Sequence, residues 1–388
     1  MRRALLTAAA LTGCVALAPH LFAQPSPAVA PATESASATP SVPNGDAKVA
    51  QAFAADCLAK ARAADKTYQV TIPGKNGWLF FAPELRHVGI GRFWGADAVK
   101  ASQATIPDNA DPLPAILDFK AQLDKAGIEL LLVPVPPKAV IFPDMASNKV
   151  TWRGPARFDP LHQEFYALLR ESGVSVLDLT PEFLQGRSAP SGALYCQQDT
   201  HWSGRACVLA AQRIKAELAG RPWLAALKPH KYESEWKRIK IDGDLRAGLS
   251  GKLPPLETLP LRFVGTRAKP GQPLKPIPTD RNSPIVLLGD SHDLVFHEGG
   301  DMHAVGAGLP DQLALELGVP VDLIAVRGSG ATPARVDLMR RARANPKYLS
   351  GKKLVVWCFS AREFTETAGW RKVPVVAAGA STNGTAGG

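Results

Sequence analysis

Short, almost wholly apolar runs alternate along this chain with segments whose apolar residues recur at helical spacing, and that rhythm restricts the fold most. Ile128 to Val133 is apolar apart from Glu129, as expected of a strand covered on both faces. It follows a helical segment with Ile116, Phe119 and Leu123 on one side, which Gly127 would end. Leu161, Phe165, Leu168 and Leu169 then mark a second helix, and Val174 to Leu179 a second strand. Ser203 is placed to cap a helix with Cys207, Ala211, Ile214 and Leu218 on its inner face. A strand at Ile285 to Leu288, a helix near Asp311 to Leu317 and a strand at Val321 to Val326 continue the pattern. Thr332 and Pro333 read as cap and first turn of a helix through Ala344, before a last strand at Leu354 to Trp357. Such alternation predicts an α/β fold, with a mostly parallel sheet between helical layers. The rhythm breaks between residues 222 and 282, where many prolines indicate an irregular or β-rich insertion.

The length, 388 residues, allows two domains or one large domain with an insertion. With 46% hydrophobic and 21% charged residues, wholesale disorder is excluded. After the N-terminus no run of 18 apolar residues exists that would span a bilayer. The first 30 residues read as an export signal: Arg2 and Arg3, an apolar stretch from Ala4 to Ala18, then small residues at Ala23, Ala28 and Ala30. Leu11-Thr12-Gly13-Cys14 resembles a lipobox, so a lipid anchor at Cys14 is the alternative to ordinary cleavage. Pro, Ala, Ser and Thr dominate the stretch after the signal, and residues 31–48 are predicted to be a disordered linker. The folded domain is expected over residues 49–372, with a disordered tail at 373–388.

Loss of the signal, which carries two arginines and no acid, lowers the formal charge from +10 to +8. An exported basic protein meets acidic glycan or anionic lipid rather than nucleic acid; diffuse charge that serves solubility is the alternative. Cys57, Cys196, Cys207 and Cys358 remain, and export would permit up to two disulfides in any of three connectivities.

Gly289-Asp290-Ser291-His292 directly follows the strand ending at Leu288. Ligands of open α/β sheets bind beyond the carboxyl ends of strands, where a turn presents a serine hydroxyl and its own N–H. Ser291 is therefore a candidate nucleophile; the alternative is a helix cap. A serine needs a base, and the base an orienting group. In Asp199-Thr200-His201-Trp202 the i and i+2 side chains of an extended segment share one side, which sets the Asp199 carboxylate beside the His201 imidazole. The alternative is a surface turn leading to the helix capped by Ser203. His292, His297 and His303 are rival bases, and Asp301-Met302-His303 repeats the Asp-x-His spacing. Without a cysteine or HExxH frame, these histidines make a poor zinc site, and no metal or cofactor is expected. Gly328 and Gly330, after the strand ending at Val326, are candidates for an oxyanion-hole loop, with a plain strand-to-helix turn as the alternative. Lys138, Arg86, Arg327 and Arg362 are candidates for contact with a glycan carboxylate or acetyl donor.

GDSH after an apolar strand, with DTHW about 90 residues upstream, resembles the SGNH-hydrolase-like, flavodoxin-like domain of the alginate O-acetyltransferases of the AlgX and AlgJ type. Gly77-Trp78-Leu79-Phe80 and Val133-Pro134-Val135-Pro136-Pro137-Lys138 match as well, so the resemblance covers roughly residues 70–365. The Asp and His precede the Ser, unlike in ordinary SGNH esterases. The segment Trp357-Cys358-Phe359-Ser360-Ala361-Arg362 resembles the family's Trp-Glu-x-x-x-Arg pattern, with Cys358 where Glu is expected. The chain ends too soon for the carbohydrate-binding module of the AlgX type, so its layout is closer to AlgJ.

The resemblance implies a periplasmic O-acetyltransferase acting on an exopolysaccharide, with Ser291 as acetyl-accepting nucleophile, His201 as base and Asp199 as its partner. It also implies a membrane-bound O-acyltransferase partner as acetyl donor, and hence association with the inner membrane. A carbohydrate acetyl-esterase with the same triad and a non-catalytic glycan-binding subunit are the competing readings.

Overall fold

The computed structural model describes residues 41–376 except Ser188. Its strands are β1 (Thr71–Pro73), β2 (Leu79–Phe81), β3 (Glu129–Val135), β4 (Ser175–Val176), β5 (Glu233–Ile241), β6 (Glu257–Gly265), β7 (Ile285–Gly289), β8 (Asp322–Ala325) and β9 (Leu354–Ser360). Five of them form a parallel sheet in the order β4-β3-β9-β7-β8. Every residue of β7 and β9 is buried, because both sheet faces are covered.

The period-2 geometry of a strand divides these residues between two apolar clusters. Leu131, Val133, Ile285, Leu287, Val356 and Cys358 pack with Phe53 and Cys57 of the helix Ala47–Asp65 and with Ile214 of Gly204–Glu217. Leu130, Leu132, Val286, Leu288, Val355 and Trp357 face the other way, onto Phe119 of Pro112–Lys125, Phe165 of Pro160–Glu171 and Leu338 of Thr332–Ala344. The predicted three-layer α/β architecture is the one observed. From β3 the chain steps outward to β4, from β7 outward to β8 on the other side, and β9 fills the gap between them. A crevice at the carboxyl ends of the middle strands follows from that reversal.

Several boundaries differ from expectation. The predicted strand at Val174 to Leu179 narrows to Ser175–Val176, because the Asp178 carboxylate accepts the Thr180 N–H and pairs with Arg157, turning the chain away. β9 runs on to Ser360, because β3 continues beside it as far as Val135. Thr332 is the first helical residue rather than a cap, and its hydroxyl donates to the Gly369 carbonyl. Within 222–282, a short helix (Pro222–Ala225) precedes the antiparallel hairpin of β5 and β6.

Order extends past both predicted borders. Asp46, in the expected linker, caps the helix that begins at Ala47 by accepting the Lys48 and Val49 N–H groups. Val373 and Val375, in the expected tail, are buried, and Gln122 accepts the Val375 N–H. The signal, Cys14, linker residues 31–40 and tail residues 377–388 lie outside the described residues. Among the described residues no helix is long and apolar enough to cross a membrane.

The disulfides that export would permit are not formed among the described residues. Cys57, Cys196, Cys207 and Cys358 are buried free thiols within one apolar cluster, where burial pushes each thiol well above its usual range. They act as small apolar side chains. These four thiols should resist Ellman's reagent until the protein is denatured, and reductant should leave the thermal midpoint unchanged.

Gly289 ends β7 where space vanishes: a Cβ there would lie 1.7 Å from the Cys358 carbonyl oxygen and 2.1 Å from Asp293 Oδ2. Gly289→Ala should destabilise the fold by roughly 3 kcal/mol, at the upper end of overpacking effects, as read from the denaturant midpoint.

Candidate active site

The turn after β7 is built by Asp290. Its buried Oδ1 accepts the His292 N–H (2.8 Å) and pairs with His292 Nδ1 (3.0 Å), while Oδ2 accepts the Ser360 N–H at the end of β9 (2.8 Å). One carboxylate thus ties two neighbouring strand ends together. Burial alone would raise the Asp290 carboxyl, yet the His292 and Arg362 charges and the Ser360 N–H hold it below its usual range. Ser291 follows, 7% exposed, in a run of turns rather than at a helix start, so the capping alternative does not apply.

The Asp199–His201 segment is held from below and from the side. Buried Lys138 donates through Nζ to the carbonyls of Leu79 (2.7 Å), Gln197 (3.0 Å) and Asp199 (3.0 Å). Glu257, at the start of β6, accepts the N–H groups of Gln197 and Gln198. Asp244 accepts the Thr200 N–H and hydroxyl. The segment is therefore a buried support and not the surface turn weighed as an alternative.

On this frame the predicted trio meets. His201 Nδ1 lies 2.6 Å from Asp199 Oδ1, and His201 Nε2 lies 2.8 Å from Ser291 Oγ. Oδ1 also accepts the His201 N–H (2.9 Å). With Nδ1–H donated to the carboxylate, the Nε2 lone pair faces the serine hydroxyl, the arrangement required for proton removal. Burial would raise the Asp199 carboxyl, but the His201 and His303 hydrogen bonds outweigh it and hold the group well below its usual range. For His201, burial opposes the cation, yet the Asp199 hydrogen bond and charge win and raise its pKa.

The rival histidines have other partners. His292 pairs with Asp290, and burial pushes it down to about 4 against the opposing Asp290 charge. His297 pairs with Asp311 (2.9 Å). His303 departs from the Asp-x-His pattern: its neighbour Asp301 pairs with Arg327, while His303 Nε2 reaches Asp199 Oδ2 at 2.9 Å. The Asp-x-His spacing therefore holds for Asp199–His201, fails for Asp301–His303, and also marks Asp290–His292, a pair the sequence reading did not draw. Asp290 as an anchor was legible in the same spacing; Asp244 left no such signal.

The basic candidates are mostly occupied. Lys138 is 1% exposed and spent on carbonyls, so it does not meet a glycan, contrary to expectation. Arg86 is bracketed by Asp65 and Glu366. Arg327 is half-exposed and pairs with Glu298 and Asp301. Arg362 is buried, donates to Ser360 Oγ (2.9 Å) and acts through charge on Asp290 and His201. Gly328 has φ +85°, and Gly330 lies so close to the Gly289–Asp290 backbone that a Cβ there would be 2.9 Å from the Asp290 nitrogen. That contact seats the loop against the serine turn. Cys358, where a glutamate was expected, lies inside the sheet.

Asp199, His201 and Asp244 place ligand atoms within 4.8 Å of one another, but each is already engaged in the bonds above. Of the three, only His201 reaches Ser291, and its geometry suits proton transfer with that hydroxyl. An open groove of about 640 Å³ passes Gln197 and Gln198, just before Asp199, and is lined by Arg238 of β5.

The chain is similar to known proteins in this region. A family model described as "SGNH hydrolase-like domain, acetyltransferase AlgX" matches residues 71–361, which include Asp199, His201 and Ser291. The probable alginate O-acetylase AlgJ of Pseudomonas aeruginosa is 26% identical over 296 residues, 74% of this chain and 69% of that protein. The probable alginate O-acetylase AlgJ of Pseudomonas syringae is 28% identical over 148 residues, 38% of this chain and 32% of that protein. The solved O-acetyltransferase domain of Pseudomonas putida AlgJ superposes with a TM-score of 0.55 at 21% identity, over 76% of this chain and 92% of that one. Pseudomonas aeruginosa AlgX gives 0.52 at 17%, over 75% and 62%. These two structures share the fold, and the family model spans about three quarters of the sequence. The chain belongs to the AlgX family of SGNH hydrolase-like acetyltransferase domains.

Proposed function

We propose that this protein transfers acetyl groups to hydroxyls of an exopolysaccharide, alginate or a similar acidic polymer, through an acetyl-serine at Ser291. The observation that carries this reading is the unbroken hydrogen-bond line from Ser291 Oγ through His201 to Asp199. His201 Nε2 takes the hydroxyl proton as Oγ attacks the acetyl carbonyl, and Asp199 stabilises the imidazolium. The tetrahedral oxyanion forms beside the Ser291 N–H, which donates to no protein acceptor among the described residues. The Gly328–Gly330 loop, seated against the same turn, is the segment to supply a second donor. Collapse passes the proton from His201 to the leaving oxygen. A sugar hydroxyl then gives its proton to His201 and attacks the acetyl-serine; as that tetrahedral adduct collapses, His201 returns the proton to the departing Ser291 Oγ and the sugar leaves as its acetyl ester.

The site acts in the periplasm if the N-terminal segment is an export signal. Acetyl-CoA is not available there, so the donor is acetyl carried across by a membrane-bound O-acyltransferase, which places the protein at the inner membrane. The groove lined by Gln197, Gln198, Arg238 and Glu257 is a nearby surface where a polymer could rest, although Ser291 does not line it.

Treatment with an activated acetyl ester should leave an acetyl group on the Ser291 peptide, detected by mass spectrometry. Ser291→Ala should abolish it. His201→Gln and Asp199→Asn should slow its formation by roughly 10⁴-fold. Adduct formation without Ser291 would overturn the reading; with bare glycan present, acetate release without ester formation on the sugar would favour an esterase.

The base works only when neutral, and the His201 pKa is raised above the ordinary value of about 6.5. Acylation rates should therefore fall as pH drops through a midpoint above about 6.5. A plot of rate against pH for the activated ester checks this.

A further inference from the structure

We propose that His303 is a positioning residue of this site, fixing the Asp199 carboxylate and setting the basicity of His201. Its Nε2 lies 2.9 Å from Asp199 Oδ2, the oxygen that His201 does not use. Asp199 thus joins two imidazoles, one per oxygen, and the Asp244 N–H completes Oδ2 at 3.0 Å. Nε2–H is the donor here, since the carboxylate can only accept.

The backbone supports the same reading independently. His303 has φ 71° and ψ −42°, and the Ala304 N–H donates to the Met302 carbonyl (2.9 Å), closing a γ-turn centred on His303. A side chain in that conformation costs on the order of 1–3 kcal/mol that glycine would avoid. Glycines do occupy positions 299 and 300, at φ 76° and 59°. The loop that carries this strain is clamped from outside: Arg327 pairs with both Glu298 and Asp301. A strained histidine, braced by ion pairs and aimed at the acid of a Ser–His–Asp line, is arranged for that contact.

The effect on His201 has a definite sign. A donor on Oδ2 draws charge from the carboxylate and weakens its pull on the His201 proton. Without it Asp199 binds the imidazolium more tightly, and His201 becomes harder to deprotonate. The other groups facing His201 are Asp244, which favours its cation, and Arg362 and His292, which oppose it. His303 itself faces Asp199, Asp301 and the Phe296 ring.

The proposal rests on His201 acting as the base, but its test does not need acyl transfer. The full chain is titrated by ¹⁵N–¹H NMR of its histidines, with His201 assigned by the signal lost in His201→Gln. In His303→Ala the His201 midpoint should rise by about half a pH unit, and in His303→Gln, which keeps a donor, it should return to within about 0.2 of the parent value. Acetyl-serine formation should slow about tenfold in His303→Ala and within about twofold in His303→Gln, as for loss and replacement of one hydrogen bond to a charged group. An unchanged His201 midpoint in both variants overturns the proposal, as does an equal shift in both. Should the alanine variant fail to fold, the parent spectrum decides: His303 must carry its proton on Nε2, and an Nδ1–H tautomer overturns it. A failed Ser291 adduct with intact coupling would count against the acyl-transfer reading alone.

Discussion

The Asp199 carboxylate receives four donors: the N–H and Nδ1–H of His201, the Asp244 N–H and the Nε2–H of His303. They come from three stretches far apart in the chain, and the carboxylate is 1% exposed. A buried anion is tolerated only when its lone pairs are filled, so this charge binds the three stretches to one another as firmly as it orients the imidazole. The insertion is thereby explained as support: Asp244 and Glu257 both hold the segment that carries Asp199 and His201.

The serine depends on a second buried carboxylate. Asp290 links its own turn to the end of β9, and Gly289 and Gly330 remove the side chains that would push these backbones apart. Lys138, just beyond the end of β3, fixes the Gln197 and Asp199 carbonyls. The carboxyl ends of β3, β7 and β9 therefore each contribute one anchor. The crevice created by the strand order is where these anchors converge, which is why two segments 90 residues apart can place Nε2 and Oγ 2.8 Å apart.

Much of this was open to inspection in one dimension. Doubly covered strands must be apolar throughout, so Ile285 to Leu288 and Leu354 to Trp357 announced themselves, as did helices spaced like Ile116, Phe119 and Leu123. The Asp199-x-His201 spacing worked because an i, i+2 contact is local. Lys138 was misjudged for the opposite reason: a lysine after a strand resembles any exposed cation until the three carbonyls around it are known. The state of the four cysteines stayed open in the sequence, since pairing needs mutual geometry and export only permits it.

Local order thus determined the α/β class, the turn that carries Ser291 and the Asp199–His201 contact, because each follows from periodicities of two or 3.6 residues or from contacts two residues apart. Folding alone decided which histidine faces Ser291, which one crosses to Asp199, and which cations are spent inside. Those choices depend on which strand ends become neighbours in the sheet, and hydrogen bonding between segments a hundred residues apart leaves no periodic trace in the chain.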